Sequence, residues 1–510
     1  MKSLVARFNE IEESRKFLTS GRISEIEKQH NKGKLTARER IGKLLDPGSF
    51  EEIDLWSGAY KTGFDIDEME IPGDAVVVGR GEVNGRPIYL WAQDYTIVNG
   101  TMARIHIAKI VRVMEKALVE RVPIVSIYDS QGPRIQDMVV AHGECSYSTM
   151  LRFSTISSGV IPQISLIMGP CIGGAALLAA ISDFVFMVRN TSYMHVASLP
   201  QGMSNEEYGG SRMHSQVSGN CDVLAENDEE CMQDARLLLG FLPLNNAQLS
   251  PMIDTQDDPN RIDEQLMEMV PSDTTKWFDM RKVVKQIVDD GCYFEIKRDY
   301  APCLSIGFAS FDGQVVGILA NNSMYKAGCM DARSSDKHAR FNRFCDAFNI
   351  PLLYLADCPG FLPSVEEEKA GILRHGCMVI HAVAEATVPK ILIAVRKLYA
   401  GAQLAMPTNI QKVDRILAWA SADRGGMGAP ELTSVIYKGR LDRAKSSEER
   451  EKIWREGMER MEGTLERFRL ISNEDFIDPR QTRRVIIKTL RQLGNKKIER
   501  PPRKHENMNL

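Results

Sequence analysis

The chain has 510 residues, with 64 Lys+Arg against 68 Asp+Glu and a formal charge of −4. Its 43% hydrophobic residues supply enough apolar surface to offset chain entropy, which excludes disorder as the main state. The balanced charge argues against wholesale binding of nucleic acid or of a membrane surface, and at about 150 residues per domain the length alone predicts about three domains.

The first 45 residues read as a helical N-terminal arm. Met1 to Arg15 mixes Lys, Arg and Glu with no apolar core, so no secretory signal is expected. A hairpin follows, Gly79 to Ala92, around the turn pair Asn84-Gly85. Next come a helix, a strand from Pro123 that ends in Asp129, and a further helix. Phe153 to Ser182 carries no charge and has the length of a membrane span, but Pro162, Gly169, Pro170, Gly173 and Gly174 break it. It reads as a buried strand, a glycine loop and a buried helix, which closes a first domain over 46–245. Leu244-Asn-Asn-Ala and the Asp/Pro-rich 251–263 read as a linker, and Asp273 to Gly291 as a helix leading into a second domain, so that 246–299 separates it from the first. That second domain spans 300–510. It holds a charged, solvated helix over Asp442–Arg460 and a last amphipathic helix, Arg480–Leu493, started by Asp478-Pro479.

The two domains are copies. Gly307 to Ala320, around Asp312-Gly313, repeats the first hairpin at an offset of 228 residues. The same offset carries Gly100 and Met102 onto Gly328 and Met330, and Pro123–Asp129 onto Pro351–Asp357. It carries Gly173-Gly174 onto Gly401-Ala402, although Pro162 meets Pro389 one residue short of that offset. A period this long is a domain duplication rather than a solenoid. Alternating strands and helices, with apolar strands such as Ile161–Met168 and Lys390–Val395, imply an α/β class with buried parallel strands.

Each copy has a loop of small residues opening a helix: Met168-Gly-Pro-Cys-Ile-Gly-Gly-Ala175 and Arg396-Lys-Leu-Tyr-Ala-Gly-Ala402. The first N–H groups of a helix lack internal partners and carry the positive end of its dipole. Two such groups aimed at one point form an oxyanion hole, and two holes suit a reaction between two carbonyl-type partners. Close helix–strand packing also asks for small residues, so one loop alone is a weak signal; its duplication is the stronger one. Asp129 and Asp357 stand at strand ends as bases or as structural caps. The chain has no P-loop, no His-Glu-x-x-His, no Gly-x-Ser-x-Gly elbow and no Ala-Met-Lys-Met biotin-attachment sequence. None of the ten cysteines forms a Cys-x-x-Cys pair or stands at ligand spacing with a His, so no metal is expected, and they read as reduced thiols of a cytoplasmic protein.

Several longer motifs carry a family likeness. They are His30-Asn-Lys-Gly-Lys-Leu-Thr-Ala-Arg-Glu-Arg40, Leu44-Leu-Asp-Pro-Gly-Ser-Phe50, Gln93-Asp-Tyr-Thr96 and Gly169-Pro-Cys-Ile-Gly-Gly-Ala175. The second domain adds Cys345-Asp-Ala-Phe-Asn-Ile-Pro351, Pro359-Gly-Phe-Leu-Pro363, Ala384-Glu-Ala-Thr-Val-Pro389 and the ending Arg503–Leu510. Over almost its whole length the chain resembles the carboxyltransferase subunit of biotin-dependent acyl-CoA carboxylases and decarboxylases of the propionyl-CoA and methylmalonyl-CoA type. The resemblance implies two tandem crotonase-like domains of ββα superhelix type, a homohexamer, and an active site between the first domain of one subunit and the second domain of a neighbour. It implies that Gly173 and Gly174 hold the thioester oxygen of an acyl-CoA, with Gly132, Arg134, Ala175, Gln403 and Leu404 near the acyl group. Gly401 and Ala402 would hold the ureido oxygen of biotin, beside Gly360 and Phe361. Biotin would arrive on a separate carrier protein, and a biotin carboxylase or a membrane decarboxylase subunit would complete the system. A catalytically silent scaffold in a mixed complex is the alternative of a different class.

The chain departs from the family pattern in three places. Asp129-Ser-Gln-Gly-Pro-Arg134 stands for Asp-Ser-Gly-Gly-Ala-Arg, Ala400-Gly-Ala-Gln403 for Gly-Gly-Ala-Tyr, and Met427-Gly-Ala-Pro-Glu431 for Met-Gly-x-Glu-Gly-Ala. These changes leave the acyl group open. Arg134 reads either as a cation for a carboxylate or phosphate of the substrate or as the ion-pair partner of Asp129. Lys34 and Arg38 read as a solvated helix face or as contacts for CoA phosphates.

Overall fold

The computed structural model describes residues 3–140, 146–408, 411–461 and 475–508. The chain divides after Leu249 into two compact units. In the first, a seven-stranded sheet has the order β1-β2-β3-β4-β5-β7-β9. Its strands are β1 (Glu51–Ile53), β2 (Val76–Val83), β3 (Arg86–Gln93), β4 (Ile124–Tyr128), β5 (Gln163–Ile167), β7 (Phe184–Val188) and β9 (Val223–Ala225). β1, β2 and β3 are antiparallel, and from β3 onward every pair is parallel. β6 (Pro170–Ile172) and β8 (Tyr193–His195) form a separate parallel ribbon.

The second unit repeats this plan. β10 (Phe294–Ile296), β11 (Leu304–Phe311) and β12 (Gln314–Asn321) are antiparallel, and β13 (Leu352–Cys358), β14 (Lys390–Tyr399), β15 (Arg415–Ala418) and β17 (Asp475–Phe476) follow in parallel. β14 is long enough to do the work of both β5 and β6, so its last residues pair with β16 (Asp423–Gly425). Both hairpins turn where the sequence predicts. Asn84-Gly85 and Asp312-Gly313 take left-handed φ angles of 52° and 70°, and of 52° and 78°, which a two-residue reversal of this kind requires.

The central strands are buried along their whole length, as two-sided packing demands. The uncharged stretch resolves into the end of the Tyr147–Ser157 helix, β5, β6 and the Gly174–Ala180 helix, and no helix among the described residues is long and apolar enough to cross a membrane. Most of 246–299, read from the sequence as a linker and a lead-in helix, groups with the second unit, which begins at Ser250. The helix there runs from Met280 to Ile287 and buries Met280, Val283, Val284 and Ile287 in that unit's core. It starts at an Asp279 cap, because Asp273 turns its carboxylate onto Thr275 and forms a local turn instead. The charged helix spans Ser447–Met461, and the last helix, Thr482–Leu493, follows a short turn capped by Asp478.

One buried junction in the first unit ties the entry to β2 to the Arg104–Glu120 helix. Asp74, at a φ of 55°, accepts the backbone N–H of His106 at 2.8 Å, and its carbonyl accepts His106 Nδ1 at 2.8 Å. Burial pushes the His106 pKa from 6.5 down to about 3. The unfolded chain therefore takes up this proton first. Stability present above pH 6.5 is lost as pH falls toward 3, at about 1.4 kcal/mol per pH unit from this one group. Urea titrations at pH 6.5 and 5 will show a shallower pH slope for His106→Asn than for the wild type; equal slopes would remove His106 from the acid response.

Candidate active site

Each unit takes one carboxylate fully out of water at the end of its central strand. Asp129, directly after β4, accepts from Lys34 Nζ at 2.7 Å, Arg40 Nη1 at 2.8 Å and Gln29 Nε2 at 2.8 Å, all three from the N-terminal arm. Arg40 is itself fully buried and also donates Nε to Asp228 at 2.8 Å. Burial pulls the Lys34 ammonium below its ordinary pKa, against the pull of Asp129. The arm cations have room only because residue 169 is glycine; a Cβ there would collide with Asp129 Oδ1 and with Lys34 Nζ. In the second unit Asp357 is neutralised from inside its own sheet, by Arg396 at 2.9 Å and Lys397 at 3.5 Å. Arg396 occupies the place in the repeat that Gly169 holds in the first.

These pairs correct three readings of the sequence. Arg134 does not bind Asp129; its Nη1 meets Asp74 Oδ1 at 2.5 Å, and the side chain is buried. Lys34 is committed to Asp129 rather than presented to a phosphate. Arg38 forms a two-toothed pair with Glu52 at 2.8 and 3.0 Å.

The loops of small residues lie beside these carboxylates, and the N–H of Ser130 is bonded to the carbonyl of Pro170 at 2.9 Å. In the first unit the N–H of Gly173 donates to the His195 carbonyl at 2.9 Å, and the first bond of the next helix runs from the Ala176 N–H to the Gly173 carbonyl at 3.0 Å. The N–H groups of Gly174 and Ala175 meet no acceptor among the described residues. In the second unit the N–H of Ala400 donates to the Gly425 carbonyl at 2.9 Å, and the Gln403 N–H to the Ala400 carbonyl at 3.1 Å. Gly401 and Ala402 are left bare in the same way.

The hydrogen bonds therefore match Gly173 to Ala400, Gly174 to Gly401 and Ala175 to Ala402. The one-residue slip seen at Pro162 and Pro389 runs on through the loops, and the sequence pairing of Gly173-Gly174 with Gly401-Ala402 is one residue out. Gly173 is corrected accordingly: its N–H is already used inside the β6–β8 ribbon. Ala175, placed by the resemblance near the acyl group, carries one of the two bare N–H groups.

An aromatic ring lies against the glycine of each bare turn. A Cβ on Gly174 would stand 2.8 Å from the ring of Tyr147, and one on Gly401 would stand 2.9 Å from the ring of Phe361. Tyr147 belongs to no motif, so no sequence signal singles it out. Gly132 (φ 101°) and Gly360 (φ 145°) sit at matching points of the loops after β4 and β13, in conformations that side chains disfavour. Gln403 does not reach into open space: its Nε2 donates to the Gly425 carbonyl at 2.9 Å and its Oε1 accepts Arg424 Nε at 3.1 Å. Leu404 is exposed at 39%. No group of acidic, His or Cys side chains suited to a metal occurs among the described residues. Two bare N–H pairs, each with an aromatic ring against its glycine, suit the stabilisation of negative charge on oxygen by backbone alone.

The model of the carboxyl transferase domain matches residues 28–508. The chain is 41% identical over 503 residues to the methylmalonyl-CoA decarboxylase subunit alpha of Veillonella parvula, covering 97% of each chain. It is 39% identical over 496 residues to the propionyl-CoA carboxylase beta chain of Roseobacter denitrificans, covering 95% of this chain and 96% of that one. Among solved structures, transcarboxylase 12S, a hexamer assembly with methylmalonyl-coenzyme A and methylmalonic acid bound, superposes with a TM-score of 0.93 at 37% identity, over 100% of this chain and 99% of that one.

Removing one cation from the first carboxylate tests how far the first unit leans on the arm. Arg40→Met leaves Asp129 and Asp228 under-neutralised in a dry site and will lower the unfolding free energy by about 3–5 kcal/mol in a urea titration. A change below about 1 kcal/mol would show that the arm does not hold this carboxylate.

Proposed function

The chain belongs to the carboxyl transferase family and is a carboxyltransferase of the propionyl-CoA carboxylase and methylmalonyl-CoA decarboxylase type; on that premise we propose that it moves a carboxyl group between biotin on a separate carrier protein and the α-carbon of a short-chain acyl-CoA. The supporting observation is the duplicated pair of bare N–H groups, Gly174 with Ala175 and Gly401 with Ala402.

In this reading Gly174 and Ala175 take the thioester oxygen. Negative charge grows on that oxygen as the α-carbon loses a proton or a carboxyl group, and fixed donors stabilise the charge without reorganising. Gly401 and Ala402, with the Phe361 ring against Gly401, offer two donors that fit the ureido oxygen of biotin. Bound biotin supplies the carboxyl group and a ureido nitrogen that accepts the α-proton. Tyr147 and Phe361 lie against Gly174 and Gly401 and leave no room for a side chain at either position. No acid or base side chain is needed. Asp129 and Asp357 are already paired with cations and act as supports.

The transcarboxylase 12S likeness supports a homohexamer and a methylmalonyl-CoA-like substrate. The family supports work with a biotin carrier protein and either a biotin carboxylase or a membrane decarboxylase subunit. The 41% identity to a decarboxylase subunit favours carboxyl removal at least as strongly as carboxyl addition. No disulfide joins the described cysteines, which supports a reducing compartment such as the cytoplasm; Cys145 lies outside the described residues. Retention of bare donors at Gly401 and Ala402, despite the changed sequence around them, supports catalysis over a silent scaffold.

The test is a panel of acyl-CoA and carboxyacyl-CoA thioesters assayed with free biotin. Labelled methylmalonyl-CoA will pass its carboxyl to biotin. Gly174→Val, which drives a side chain into Tyr147, will reduce that transfer by about 100-fold or more. Ala402→Pro will do the same by deleting one N–H on the biotin side. Full activity in either variant, or no transfer from any thioester of the panel, would defeat the reading.

A further inference from the structure

The duplication lets one loop be compared with its own copy. After β4 the chain runs Asp129-Ser-Gln-Gly-Pro-Arg134, and after β13 it runs Asp357-Cys-Pro-Gly-Phe-Leu362. Both loops are held by the same pair of backbone bonds. The Met102 N–H donates to the Gly132 carbonyl and the Arg134 N–H to the Met102 carbonyl, at 3.0 and 2.8 Å. The Met330 N–H donates to the Gly360 carbonyl and the Leu362 N–H to the Met330 carbonyl, also at 3.0 and 2.8 Å. Pro133 and Phe361 are thus the same position.

A parallel bridge of this kind, which joins Met102 to Pro133 and Met330 to Phe361, turns the N–H of the middle residue away from its methionine. Phe361 has such an N–H. It meets no acceptor among the described residues, and the ring of the same residue lies against Gly401. The Gly360 N–H is also without an acceptor there, because Cys358, the neighbour in this loop, turns its thiol onto the Gly360 carbonyl at 3.4 Å. The first unit offers neither donor. Proline at 133 has no N–H, and the Gly132 N–H is consumed by Ser130 Oγ at 3.0 Å.

We infer that Pro133 deprives the acyl half-site of a loop donor that the biotin half-site keeps, so that activation of the thioester limits the whole reaction. The inference rests on the carboxyltransferase reading and adds a rate-setting position to it. The thioester oxygen is left with the two helix-start donors, Gly174 and Ala175. The biotin half-site keeps Gly401 and Ala402 together with the bare N–H groups of Gly360 and Phe361, the ring of Phe361 lying against Gly401. A donor that acts only as charge develops changes kcat and leaves ground-state binding nearly untouched.

The test is the steady-state transfer from methylmalonyl-CoA to free biotin in the full-length protein, with its oligomeric state and melting temperature checked. Pro133→Ala and Pro133→Gly both restore an N–H. Each is expected to raise kcat at least tenfold, with KM for free biotin unchanged within twofold. Unchanged or lower kcat in both variants, folded as the wild type is, overturns the inference while the wild type's own transfer keeps the carboxyltransferase reading. If the 133 variants do not fold, the copy decides: Phe361→Ala keeps the N–H and Phe361→Pro deletes it, and both lose the ring. A kcat at least tenfold lower for the proline variant than for the alanine variant supports a loop donor at this position; equal values overturn it. Absence of transfer from both the wild type and Pro133→Ala defeats the inference together with the reading beneath it.

Discussion

A carboxylate removed from water must be neutralised within the fold, and both units are organised around that requirement. Asp129 and Asp357 end the central strands with no solvent exposure. The loops that present bare N–H groups start beside them. The two units meet the requirement differently. In the second, Arg396 projects from β14 itself. In the first, the matching residue is Gly169, and the gap is filled by Lys34 and Arg40 of the arm. The arm therefore belongs to the folding of the first unit. The motif running from His30 to Arg40 has its physical explanation there: its Lys34 and Arg40 converge with the preceding Gln29 on one carboxylate.

On the proposed reading, the chemistry is carried by backbone rather than by side chains. A helix start has N–H groups with no internal acceptor, and small residues keep them uncovered. What selects two donors among several is the strand ahead of each helix. His195 and Gly425 each take one N–H, from Gly173 and Ala400, and the next two groups are left bare. Because these donors are fixed before any ligand arrives, the site needs no conformational change to stabilise charge. Variation around it, such as Gln403 in place of the family's bulky ring, leaves the donors in place.

Much of this was legible in the sequence. The 228-residue repeat, the Asn-Gly and Asp-Gly hairpins and the two small-residue loops are local patterns, and local patterns survive without coordinates. Pairings set by distant backbone were not legible. Arg134 finds Asp74 across 60 positions, and only because Asp74 takes a left-handed turn. Gly173 loses its N–H to a carbonyl 22 residues onward, which no spacing rule announces. The slip at Pro162 and Pro389 was visible, but its consequence for which residues form the matching donors depended on seeing where β6 and the end of β14 find their partners. Tyr147 was missed because a single aromatic residue in a helix more often packs a core than walls a site.

The most direct measurement is a structure of the protein with a non-hydrolysable acyl-CoA bound. The account predicts the oxygen that replaces the thioester carbonyl within about 2.7–3.1 Å of the Gly174 and Ala175 nitrogens, under the Tyr147 ring, with the Gly173 N–H still on His195. An oxygen seated on Gly173, or an acyl group lying away from this helix start, would contradict it.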